Sequence, residues 1–394
     1  MKIVDQSECC GCRGCLQLCP QNAISVKNDK YGFESINIDE NNCINCGLCK
    51  KVCPILNIRK NQTHFECGSA YSKDTTIKRS GSSGGLFGVF ANQVIKQGGI
   101  VYGASFGEQL KLKTTRVDNL DQLGPLFKSK YLLCDTTGAF ESIKKDLEGG
   151  RQVLYCASPC QLAALKGTLN KDYQNLLCVE FICHGVGSQY QFDQSVQYIE
   201  TKKKIEINSY GFREKYKKAS SHYYYYDYSY EKAKAKKTGH KRDIYMTFPY
   251  YYAYCDRLTC RDICYDCPYA TRERVGDITI GDFHIIERYE PEIDRFAGVS
   301  MFICNTKKGL DFFKSVSSEL VVKLYDKEII YSNNRFSGKE IPPQKRKRYL
   351  AALAEEPYQN VVKVYLSYRK DWRFYYYKLP GFIRKLGIRL LRRT

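Results

Sequence analysis

The chain has 394 residues, 20 of them cysteine, and sets 62 Lys plus Arg against 42 Asp plus Glu for a formal net charge of +20. The start, MKIVDQSECC, lacks the apolar core of a secretory leader, and no run approaches the ~18 apolar residues of a membrane span. A secreted disulfide scaffold would be far shorter, so the thiols are expected in a reducing cytoplasm, where clustered cysteines bind metal or react.

The first cluster is CCGCRGCLQLCP, residues 9 to 20. Cys9, Cys12, Cys15 and Cys19, followed by Pro20, read C-x2-C-x2-C-x3-C-P, and Cys43, Cys46, Cys49, Cys53 and Pro54 repeat the pattern 34 residues on. Cys10 corresponds to Ile44 and falls outside the repeat. Three thiolates on a tight loop can hold three corners of an Fe4S4 cube, whereas the fourth Cys of such a run ligates the other cluster of a pair. The spacing therefore predicts one [4Fe-4S] cluster on Cys9, Cys12, Cys15 and Cys53, and a second on Cys43, Cys46, Cys49 and Cys19. Zinc needs only four ligands, usually as two separated pairs, and eight cysteines with both prolines disfavour it. AISV and FESINI between the motifs read as two short strands. The prediction is an α+β ferredoxin domain over residues 1–57, with the polar, aperiodic stretch 58–66 as a linker.

Beyond it, Ser82-Ser83-Gly84-Gly85 lead into an apolar-periodic helix from Leu86 to Ile95, closed by Gly98-Gly99 before the strand-like IVYGASF. A Ser/Gly loop opening a helix presents unpaired N–H groups that suit a phosphate or a flavin edge, or is an ordinary cap. Four segments then follow in order: FKSKYLLCD (127 to 135), VLYCASPCQLAALKGTL (153 to 169), VEFICHGVGSQ (179 to 189) and RDICYDCPYATRERVGDITIGDF (261 to 283).

Taken together with the cysteine repeat, these segments resemble the coenzyme F420 hydrogenase/dehydrogenase beta-subunit family, over roughly residues 1 to 305. The resemblance implies an α/β flavin and iron–sulfur domain: a flavin-binding part at 67–148, a part with a third iron–sulfur site at 149–322, and a basic extension at 323–394. It implies FAD held by Ser82, Ser83, Gly84, Gly85, Lys130 and Tyr131, with the charge of Lys130 stabilising the reduced ring. It also implies a third [4Fe-4S] cluster on Cys160, Cys183, Cys264 and Cys267. The deazaflavin coenzyme itself has no sequence support. His284 stands where many bacterial relatives carry Trp, and ASPCQ replaces the commoner GTPCQ, so the substrate is expected to differ from that of better-known members.

Cys260, Cys264 and Cys267 also form C-x3-C-x2-C, the spacing of radical S-adenosylmethionine enzymes. Asp266 replaces their usual aromatic residue and the motif lies late in the chain, so Cys260 is kept only as a substitute ligand. The remaining cysteines, Cys10 among them, read as core packing. Asp277 and Asp282 are assigned no chemistry, and His184 is either a proton relay or a hydrogen-bonding neighbour of Cys183.

Three clusters would lower the net charge to roughly +14. The tail FIRKLGIRLLRRT has an apolar and a basic helical face, suited to anionic lipid or to packing on its own domain. The segment 221–242 interleaves Tyr and Lys but has no RNA- or DNA-binding motif; it reads as a two-stranded excursion, with no nucleic-acid partner expected. The expected function is an iron–sulfur flavoprotein oxidoreductase passing electrons between a redox partner protein or small carrier and a two-electron acceptor. The alternatives are a non-catalytic electron-transfer subunit and, more remotely, an iron–sulfur nucleic-acid-binding protein. Several relatives act in bacterial surface-polysaccharide pathways, which implies a sugar- or lipid-linked substrate, and oxygen-labile clusters imply an anaerobe.

Overall fold

The computed structural model describes residues 2–61, 64–215, 223–232, 235–293, 297–333, 336 and 339–379. The basic tail, with its lipid-facing reading, lies outside the described residues, as do short parts of the 58–66 and 221–242 segments. Among the described residues no helix is long and apolar enough to cross a membrane.

The cysteine repeat is also a backbone repeat. Short helices Gly14–Gln17 and Leu48–Val52 each start after a left-handed residue, Arg13 at φ 57° and Gly47 at φ 75°. Gly11 (φ 70°) and Asn45 (φ 54°) match in the same way. At Gly11 a Cβ would also meet Leu133 Cδ2 at 2.6 Å, so glycine suits both the positive φ and the close approach there. Between the motifs, strands Ile24–Asn28 and Glu34–Ile38 form an antiparallel hairpin. This is the ferredoxin-like N-terminal domain that the spacing predicts.

The rest is a mixed α/β domain on an eight-stranded sheet. Its centre is four parallel strands, Ile100–Phe106, Val153–Ala157, Leu176–Phe181 and Ile278–Asp282. Leu112–Val117 pairs antiparallel at one side, and Ser300–Cys304, Cys67–Ser72 and Leu320–Leu324 at the other. Strands from residues 67–148 and from 149–322 thus share one sheet. The central strands are apolar runs, as expected when both faces are covered. Helix Pro159–Leu169 covers one face; Leu162, Ala163, Ala164 and Leu165 are all fully buried. A helix apolar all round needs a second neighbour, and here it is the ferredoxin module: a Cβ on Gly14 would lie 3.2 Å from that of Ala164.

The module is held by polar contacts to its backbone. Arg261, 3% exposed, donates from Nε to Cys9 O (3.0 Å) and from Nη2 to Glu34 O (2.7 Å). Thr136 Oγ1 donates to Cys12 O (2.8 Å) and Tyr269 OH to Pro54 O (2.6 Å). The stretch expected as a linker is tied down at Asn61, whose N–H donates to Arg274 O (2.5 Å) and whose Nδ2 donates to Gly276 O (2.9 Å).

The tyrosine-rich strand Tyr223–Lys232 pairs with Ala235–Ile244, and Glu206–Gly211 adds a third strand to the two expected. Alternation explains the tyrosines: Tyr224 and Tyr226, at 2% and 1% exposure, face a core containing Tyr210 and Phe248. Their rings are core, while Lys236 and Lys237 of the partner strand stay exposed. Part of the C-terminal extension is packed as well, through Tyr349 and Val361, both fully buried.

One buried ion pair fixes the loop after Tyr265. Glu180 accepts from Arg274 Nε, from Thr279 Oγ1 (2.7 Å) and from the N–H groups of Val275 and Gly276 (both 3.1 Å). Glu180 is fully buried and Arg274 is 2% exposed. Replacing Glu180 by Ala strands the guanidinium and two amides, so urea denaturation of Glu180→Ala should show a loss of about 3–5 kcal/mol.

Candidate functional site

Ligands of open α/β sheets gather outside the carboxyl ends of the parallel strands. Cys160 follows strand Val153–Ala157 in the first turn of a helix, and Cys183 follows Leu176–Phe181. Cys264 and Cys267 arrive on the loop closed by Arg274, which donates to Tyr269 O and Thr271 O, both at 3.0 Å. These four cysteines line one small pocket of about 40 Å³. Burial first, then the thiols of Cys264, Cys160 and Cys267, pushes Cys183 far above the ordinary thiol range. A bound cation reverses that penalty, and the helix N-terminus at Cys160 favours the resulting negative charge.

Cys19, Cys43, Cys46 and Cys49 line a second small pocket of about 20 Å³. The remaining repeat cysteines are neighbours of one another: burial, then Cys9, Cys53 and Cys49, pushes Cys15 up to about 12. Cys53 in turn feels Cys9 and Cys49. Cys19 therefore sits with the other run's first three, and Cys53 lies near Cys9 and Cys15. Among the described residues no three His, Cys, Asp or Glu side chains approach closely enough for a single metal ion. Two of the three quartets line pockets instead, as suits a cube in which each thiolate binds a different iron.

The three rings lie in order. Cys46 is exposed, whereas Cys12 is buried in a core shared with the second domain, Cys15 in the module's own core, and Cys53 is buried as well. Cys15 and Cys53 feel Cys49 on the outer side, and Cys12 feels Cys160 on the inner side. Cys260 is absent from the inner void's lining; its Sγ accepts from Arg257 Nη1 at 3.3 Å. Cys10, by contrast, does line that void. Of the other cysteines read as core, Cys255 is exposed. His184 is exposed beside Cys183.

The residues singled out for flavin meet at one corner. Ser82 Oγ accepts from Ser129 N (2.6 Å) and Ser129 Oγ (2.9 Å), joining the SSGG loop to the Lys130 segment. Ser83 Oγ donates to Val299 O (2.8 Å) and Gly84 N to Ser300 Oγ (2.9 Å). Gly84 is required by packing, since a Cβ would lie 2.5 Å from Ala70 O, and Gly85 takes φ 87° at the start of helix Leu86–Lys96. Lys130 is half-buried overall, but its ammonium turns inward onto Pro125 O (2.8 Å) and Phe127 O (2.6 Å), and burial lowers it to about 7.

Three further groups at this corner escaped the sequence reading. Arg213, 7% exposed, holds Asp282 at 2.6 Å and, against the opposing effect of burial, keeps that carboxyl below its usual range. Lys215 Nζ donates to Ser83 O at 2.5 Å; burial, then Arg213 and Lys78, lowers it to about 7. Arg213 Nε is buried with no protein partner. An orphaned guanidinium donor amid two further inward-turned lysines fits an anionic group such as a flavin phosphate or a reduced ring. Tyr131 connects this corner to the inner thiol ring. It stacks on Tyr254 at 4.5 Å, Tyr254 OH donates to Gly185 O (3.1 Å), and Gly185 N donates to Cys183 Sγ (3.4 Å).

A cysteine-ringed ferredoxin module on an α/β sheet defines an iron–sulfur protein. Residues 8–56 match a 4Fe-4S dicluster domain, and residues 150–328 match the C terminus of the coenzyme F420 hydrogenase/dehydrogenase beta subunit. Residues 150–328 thus carry the C-terminal domain of that beta-subunit family, behind an N-terminal dicluster domain. A chain of the F420-reducing [NiFe] hydrogenase complex from Methanosarcina barkeri is similar at 15% identity. That match spans 76% of this chain and 92% of the other, with a TM-score of 0.39. No curated protein matches.

The crossed arrangement of the repeat is testable by iron analysis. Cys19→Ser and Cys46→Ser should each lose about four irons, and the double variant should lose no more than either alone. A double variant losing about eight would put Cys19 with Cys9, Cys12 and Cys15.

Proposed function

We propose that the chain is an iron–sulfur flavoprotein oxidoreductase that links a one-electron redox partner to a two-electron acceptor. In this reading Cys9, Cys12, Cys15 and Cys53, then Cys19, Cys43, Cys46 and Cys49, and finally Cys160, Cys183, Cys264 and Cys267 would hold three [4Fe-4S] clusters. Ser82, Ser83, Gly84, Gly85, Lys130 and Tyr131, with Arg213 and Lys215, would hold FAD. When bound, the clusters supply single-electron chemistry and FAD couples it to two-electron chemistry. The observation that carries the reading is the short Tyr131–Tyr254–Gly185–Cys183 connection between the cationic corner and the inner thiol ring. A site for a two-electron centre would gain nothing from that adjacency if the thiols were ordinary core.

The chain's own groups divide the work. The stacked tyrosines exclude water between corner and ring. Lys130 and Lys215, both turned inward, and Arg213 supply positive charge where negative charge would develop. The exposed Cys46, beside Ile44 at 61% exposure, gives a partner protein access to the outermost ring. For the acceptor we carry forward the class implied by the sequence resemblance, a sugar- or lipid-linked intermediate of surface-polysaccharide assembly, in an anaerobic cytoplasm. That same exposed outer ring, with the beta-subunit character of the family, favours a second reading in which the chain serves a catalytic partner as its electron-transfer subunit.

Lys130→Met separates the flavin role from a structural one. Loss of one charge-assisted hydrogen bond should weaken FAD binding roughly tenfold and lower the flavin's midpoint potential, with iron content unchanged. Unchanged flavin affinity and potential in the variant would remove Lys130 from the site.

A further inference from the structure

Cys10 is the one cysteine of the N-terminal cluster that the repeat leaves without a role. Its counterpart, Ile44, is 61% exposed, whereas Cys10 is 6% exposed. Its side chain lies in one buried cluster with Cys12, and Cys160 packs against that cluster. It also lines the inner void together with Cys160, Cys183, Cys264 and Cys267. Four thiols already match the four corners of a cube there, so Cys10 is a fifth sulfur in a four-ligand site. Its backbone is fixed from outside: Arg261 grips Cys9 O, and Thr136 grips Cys12 O. The side chain is thus held in the gap between a residue of the middle ring and a residue of the inner ring.

We propose that Cys10 is a positioning residue that bridges the middle and inner iron–sulfur sites, donating its S–H to a ligand sulfur and setting the potential of the cluster that sulfur serves. The inference rests on the three-cluster reading above. A thiol has one weak donor and a weakly accepting, polarizable sulfur, so it can contact two ligand sulfurs at once without replacing either. Hydrogen bonds to cluster sulfurs tune reduction potential. The sign follows from charge: a donor stabilises the extra electron of the reduced state, so Cys10 raises the potential of the cluster it serves.

The test uses full-length, cluster-loaded protein prepared without oxygen, as wild type, Cys10→Ala and Cys10→Ser. Iron per chain is measured together with cluster midpoint potentials from an EPR-monitored titration. The expected result is about twelve irons in all three proteins. One cluster potential should shift to lower values in Cys10→Ala and be restored at least in part in Cys10→Ser, which keeps a donor. About twelve irons with unshifted potentials in Cys10→Ala would reduce Cys10 to packing and overturn the proposal. Loss of about four irons in Cys10→Ala would overturn it differently, by making Cys10 a ligand. A wild-type chain with about eight irons would instead sink the three-cluster reading itself, a failure separable from the other two.

Discussion

The inner thiol ring depends on a single buried ion pair. Glu180 lies on the strand that leads to Cys183, and Arg274 lies on the loop that carries Cys264 and Cys267. Water scarcely reaches either, so each needs partners inside the protein: the carboxylate has the guanidinium, a hydroxyl and two amides, the guanidinium has the carboxylate and two carbonyls. An unpaired charge at that depth would be too costly to keep. The loop consequently has one place to go, over the carboxyl ends of the central strands, where Cys160 also emerges. The same loop carries Tyr269, whose hydroxyl holds the ferredoxin module at Pro54, and begins at Arg261, which holds it at Cys9 and Glu34. One loop therefore sets both the inner ring and its distance from the middle one.

The basic composition takes on a local meaning in this arrangement. Buried thiols resist ionisation in the chain alone, and a loaded protein concentrates negative charge along the line of rings. Part of the excess of Lys and Arg is placed close by: Arg257 beside Cys260, Arg261 at the module interface, and Arg213, Lys130 and Lys215 at the neighbouring corner. The lysine-rich Ala235–Ile244 strand is the contrasting case, since Lys236 and Lys237 stay in solvent while Tyr224 and Tyr226 of the paired strand are buried.

How much of this was legible in the sequence varies with the range of the contact. The cysteine repeat is local chemistry, and it reappears as matched left-handed residues at Arg13 and Gly47 and as thiols ringing a common void. The helix at Leu86 and the strand at Ile100 followed from periodicity and flanking glycines. The quartet of Cys160, Cys183, Cys264 and Cys267 came from resemblance, because no spacing rule joins residues a hundred positions apart. Cys10 is buried in the core, as read, but its place beside Cys160 was not legible for the same reason: that residue is distant in sequence, and only the docking of module on sheet brings them together. Asp282 looked like a turn residue until Arg213, sixty-nine positions earlier, was found against it. The nearby C-x3-C-x2-C spacing points the other way: Cys260 satisfies the pattern, yet its sulfur faces Arg257.

The central claim is that one chain holds three iron–sulfur sites in line with a flavin corner. The most direct measurement is the iron, sulfide and flavin content of protein purified without oxygen. The account predicts about twelve irons, about twelve sulfides and about one FAD per chain. About eight irons and no flavin would contradict it, leaving a two-cluster ferredoxin joined to an α/β domain of some other purpose.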